Sequence, residues 1–106
     1  MPELPGHYVE LRKRFKGFMR AVDNLGKAAA VSGPLDEKTS QLIQIAAAAA
    51  IKSEGAVHSH TRRALKAGAK AEDIYHAIIL LTSTIGFPAV SAALSWIDDV
   101  MKKQQD

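Results

Sequence analysis

Apolar side chains recur along this chain at three- and four-residue steps. Between residues 7 and 30 they fall at Tyr8, Leu11, Phe15, Phe18, Met19, Val22 and Leu25. That spacing puts one face of a helix against a core. Val31-Ser32-Gly33-Pro34 breaks the pattern, because proline does not continue a helix. Asp36 then reads as an N-cap, with Glu37 in the first turn. The spacing predicts a helix from there to about Lys52, with Leu42, Ile45, Ala49 and Ile51 on its core face. The run Ala46 to Ala50 combines high helix propensity with no bulk, so another helix can approach closely.

Ser53-Glu54-Gly55 reads as a tight turn, with Ser53 as N-cap of a helix that reaches about Lys66. Gly68 is its expected C-cap. Ala71-Glu72-Asp73 opens a further helix with acid in its first turn. Ile78, Ile79, Leu80 and Leu81 then cover a full helical turn, more than one face of a small monomer can bury. This predicts a helix held between its own core and a neighbouring subunit. Gly86-Phe87-Pro88 marks a change of direction. The last helix is expected from about Pro88, with Val90, Leu94, Ile97 and Met101 inward and residues 101–106 as a frayed polar tail. No segment alternates as a strand does. The expected fold is all-α, with about five or six helices around an antiparallel helix pair.

Composition narrows the function classes. A chain of 106 residues has the length of one domain, here 1–106. With 47% hydrophobic and 24% charged residues it is globular. It contains no cysteine, which removes disulfides, thiolate ligands and thiol nucleophiles together. The net charge is 14 − 11 = +3. The basic residues Arg12, Lys13, Arg14, Lys16 and Arg20 are interleaved only by Phe15 and Phe18 at core spacing, so no nucleic-acid partner is expected. From Ala77 to Ile97 no residue is charged, but Gly86, Pro88 and several Ser and Thr interrupt the run. It reads as two buried helices, not a membrane span. Met1 to His7 shows no basic segment followed by an apolar one, so no signal peptide and a cytoplasmic location are expected.

Four histidines carry the candidate chemistry. His58 and His60, two residues apart on one helix, point about 200° away from each other and cannot share an ion. No metal site and no cofactor are expected. His7 and His76 read as exposed or half-buried polar residues.

Two stretches together carry a resemblance. One runs from Thr39-Ser40-Gln41-Leu42-Ile43 through the alanines into Ser53-Glu54-Gly55-Ala56-Val57-His58-Ser59-His60. The other is Arg62-Arg63-Ala64-Leu65-Lys66-Ala67-Gly68-Ala69, continuing into Glu72-Asp73-Ile74 and Gly86-Phe87-Pro88-Ala89. Over residues 35–94 the chain resembles the carboxymuconolactone decarboxylase family, which includes the alkylhydroperoxidase D (AhpD)-like proteins. The resemblance implies a homotrimer or homohexamer. Redox members of that family carry a Glu, a Cys-x-x-Cys pair and a His four residues after the second Cys. Here those positions hold Gln41, Ser53, Ala56 and His60. Only the histidine is kept, so thiol peroxidase chemistry cannot run on this chain's own residues.

The family's other branch, the decarboxylases, lacks the cysteine pair and keeps the histidine. By that resemblance the chain is expected to be a cofactor-independent lyase with His60 as general acid/base. Gln41 and Ser53 are candidate hydrogen-bond donors to a substrate oxygen, and Arg62 and Arg63 are candidates to hold its carboxylate. Ser53 lies seven residues before His60, about 10 Å along a helix, so the two do not form a nucleophile–base pair. That branch usually has an acid where Gln41 stands. The alternative is a redox-dead family member that binds a small-molecule ligand or serves as a scaffold, with His60 hydrogen-bonded where helices meet.

Overall fold

A computed structural model describes residues 6–105, and all of their regular structure is helical. The chain divides into two compact units, 1–34 and 35–106. The first unit contains α1 (Gly6–Arg14) and α2 (Lys16–Ala30). The single helix expected over 7–30 is thus broken at Phe15, whose backbone (φ −130°, ψ 62°) leaves the helical region. The break brings Arg12 against Asp23 in a two-pronged ion pair, at 2.7 and 3.2 Å. In an unbroken helix those residues would stand about 16 Å apart along the axis.

The second unit holds α3 (Glu37–Ala50), α4 (Glu54–Lys66), α5 (Ala71–Ile79), the single turn α6 (Thr82–Ile85) and α7 (Phe87–Gln105). Among the described residues the chain therefore has seven helical segments, two of them created by the break at Phe15. Asp36 caps α3 as expected, its carboxylate accepting the Thr39 N–H at 2.8 Å. The helix ends two residues earlier than expected. Lys52 takes a left-handed conformation (φ 59°). The Ser53 N–H then donates to Ala48 and the Lys52 N–H to Ala49, closing the end of α3. The same pair of bonds closes α4, where Gly68 (φ 100°) occupies the left-handed position without strain. Because Ser53 caps α4 directly, the turn falls on Ile51 and Lys52, and Gly55 lies inside the helix.

α3 and α4 form the antiparallel pair, and α5 and α7 pack against it. The core joins Ile45, Ala48 and Ala49 of α3 to Val57 and Ala64 of α4. Ala69 between α4 and α5, Ile74 and Ile78 of α5 and Val90, Ala93 and Ile97 of α7 complete it. Ile51, expected on the core face, is 75% exposed, because it lies in the turn beyond the end of α3. Leu42 is partly buried against the core. Ile78 is fully buried, whereas Ile79 and Leu80 are exposed. The four apolar residues do not make one turn of a continuous helix, since α5 ends at Ile79, with Leu80 as its C-cap and Leu81 as the N-cap of α6. α7 continues to Gln105 instead of fraying at Met101, since Val100 is buried and Met101 packs on the core. Asp106 lies outside the described residues. Between α5 and α7 the Tyr75 hydroxyl donates to Asp98 at 2.5 Å. Partial burial and that carboxylate push the phenol up to about 12. No helix among the described residues is long and apolar enough to cross a membrane.

Candidate functional site

The antiparallel pair brings the start of α3 beside the middle of α4. Glu37 and Gln41 are one helical turn apart and so share a face. Gln41 is buried (4% exposed). Its side-chain N–H donates to Glu37 Oε1 at 2.7 Å. Its Oε1 lies 2.7 Å from Nδ1 of His60 on α4. An ionised carboxylate only accepts hydrogen bonds, so it draws the NH2 end of the amide toward itself. The carbonyl end then faces the imidazole, and the His60 proton sits on Nδ1. In the neutral ring, Nε2 is left as the acceptor.

His60 is half-buried. Burial lowers its pKa below the usual 6.5, and the Arg63 charge lowers it further against a smaller opposing pull from Glu37. Two of the sequence candidates, Gln41 and His60, are therefore in direct contact. Ser53 is elsewhere: its hydroxyl oxygen accepts the Ala56 N–H at 3.4 Å as the N-cap of α4. Arg62 is half-buried and Arg63 exposed, three residues beyond His60 and near enough to act on its charge. Glu37 was legible only as a first-turn acid. Its i, i+4 spacing to Gln41 was the available signal for the second role.

His58 goes to a different partner, its Nε2 lying 3.3 Å from Asp99 Oδ2 on α7. Glu54, His58 and Asp99 bring ligand atoms within 4.8 Å of one another. Among the described residues they are the group able to hold an ion, with both carboxylates exposed. Next to His60 in sequence, Thr61 is fully buried and its hydroxyl has no hydrogen-bond partner.

A sequence model of the carboxymuconolactone decarboxylase family matches residues 16–99. The chain belongs to that family. The match is wider than the 35–94 stretch that carries the motif resemblance. The carboxymuconolactone decarboxylase-family protein is 29% identical over 102 residues to "Uncharacterized protein MJ1511" of Methanocaldococcus jannaschii, covering 95% of each chain. Its fold is similar to the crystal structure of apo-lpg0406, a carboxymuconolactone decarboxylase family protein from Legionella pneumophila. The TM-score is 0.79 at 25% identity, over 91% of this chain and 86% of that one. Ser53 and Ala56, which the resemblance sets at the positions of the redox pair, are here a helix cap and the residue whose N–H that cap accepts.

Proposed function

We propose that the protein is a cofactor-independent lyase that removes CO2 from a carboxylated lactone or a β-keto acid, with His60 as its acid/base group. The observation that supports this reading is the hydrogen bond from His60 Nδ1 to Gln41. It leaves Nε2 as the nitrogen that exchanges protons. In the reaction the bond from carbon to carboxylate breaks and CO2 departs. The electron pair stays on carbon, spread into the adjacent unsaturated carbonyl. Protonated Nε2 delivers its proton to that carbon, and His60 recovers one from water. Arg62 and Arg63 are the groups proposed to hold the substrate carboxylate. The exposed Ile79 and Leu80 support a homo-oligomer in which a second copy covers them. A cytoplasmic location completes the proposal.

The test is CO2 release from a panel of carboxylated lactones and β-keto acids. His60→Ala is expected to lose about 10²–10⁴-fold in kcat. The donor is the protonated ring, whose pKa lies below 6.5. The rate is therefore expected to climb as pH falls through that range. Equal silence from wild type and His60→Ala would overturn the lyase reading in favour of a ligand-binding protein. That second reading draws on Gln41, whose amide is occupied at both ends by Glu37 and His60.

A further inference from the structure

We infer that Glu37 is a positioning residue for His60, acting through the Gln41 carboxamide to decide which imidazole nitrogen carries the proton. The inference rests on the reading of His60 as the acid/base group, and it adds a residue that the family pattern does not place there. An amide between an imidazole and solvent has two orientations of nearly equal chemistry, one offering an N–H and one a carbonyl. A neutral imidazole matches either by moving its proton between nitrogens. A fixed acceptor on the far side of the amide breaks this symmetry. Glu37 Oε1, 2.7 Å from Gln41 Nε2, is that acceptor. The 2.7 Å contact from Gln41 Oε1 to His60 Nδ1 follows from it. Gln41 is held in place by burial, at 4% exposure, so its amide has little room to find other partners.

The arrangement differs chemically from a carboxylate placed directly against the histidine. A carboxylate can take the imidazole proton, whereas an amide does not at neutral pH. The line from Glu37 to Gln41 to His60 therefore orients and polarises the ring but carries no proton away. All proton exchange is confined to Nε2. By the resemblance, redox members hold an acid where Gln41 stands; here an acid lies one helical turn earlier on the same face, at Glu37.

The test is ¹⁵N-detected NMR of the His60 ring above its pKa in wild type, Glu37→Gln and Glu37→Ala. Wild type is expected to show one neutral tautomer, with the proton on Nδ1 and Nε2 as the bare nitrogen. Both variants are expected to lower the ratio of that tautomer to the other by about tenfold, the loss of one charge-assisted hydrogen bond. Glu37 is exposed, so the variants are expected to fold, and far-UV circular dichroism checks this. A tautomer ratio unchanged in both variants would overturn the inference and leave Glu37 as a helix-start acid. The measurement needs no turnover, so it stands even where the substrate panel is silent. Where a substrate is found, Glu37→Gln is expected to lower kcat with KM unchanged.

Discussion

Two histidines two residues apart on α4 end in opposite environments. His60 turns toward α3, is half-buried, and meets a neutral amide through Nδ1 at 2.7 Å. His58 turns toward α7 and meets the carboxylate of Asp99 through Nε2 at 3.3 Å. The Asp99 side chain is 54% exposed, so this contact is screened by solvent. Burial, and after it the nearby Arg63 charge, penalise charge on His60 and lower its pKa. The difference lies in which element each ring faces and how far it is buried, not in residue type or helix. On one helix, a rotation of about 200° separates a half-buried ring bonded to an amide from a ring beside a solvent-exposed carboxylate.

The comparison breaks most sharply at the partners. Gln41→Leu strands the His60 Nδ1–H and is expected to cost about 1–3 kcal/mol in denaturant unfolding. A loss no larger than that of Asp99→Ala would mean that the two environments do not differ as argued. Ser53→Ala removes the cap of the helix that carries both rings, and the 3.4 Å bond places its cost at about 0.5–1 kcal/mol. Resonances of His58 and His60 should broaden alike, because the shared helix start loosens both.

A pH series separates the rings without touching a partner. His60 has a lowered pKa in the folded state, so the unfolded chain binds its proton first as pH falls. Its contribution to stability is present above 6.5 and is lost as pH drops through the folded value below it. Thermal melts should show that loss in wild type and in His58→Gln, and a flatter profile in His60→Gln. The smallest effect is expected from Asp99→Ala, about 0.2–1 kcal/mol and weaker in high salt. A salt-independent cost there would place His58 in a buried site after all.

Much of this architecture was legible in the residues. Asp36, Ser53 and Gly68 act as the caps that their chemistry predicts. Ile45, Ile74 and Ile97 are fully buried, as helical spacing requires. The local misses have local causes. Over residues 7–30 the apolar period misleads twice: Phe15 breaks the helix, and Tyr8, Phe15, Phe18, Val22 and Leu25 are exposed while Met19 is buried. Periodicity records which residues share a face and not whether the backbone bends or a core covers that face. Lys52 adopts a left-handed turn although Gly55 is close by, because the Ser53 cap sets where α4 begins. In the site, the pairing of Gln41 with His60 spans 19 residues and that of His58 with Asp99 spans 41. No local pattern encodes either.

By itself the sequence determined the helical class, the caps and turns, the absence of thiol chemistry and the family. These depend on residue type and on spacing within one or two turns, which are local properties of the chain. The tertiary structure decided that Gln41 reaches His60 across α3 and α4, and that His58 faces α7. Those outcomes depend on how α3, α4 and α7 rotate against one another to bury Ile45, Val57 and Ile97. That rotation is set by the sum of all core contacts and is written in no single segment.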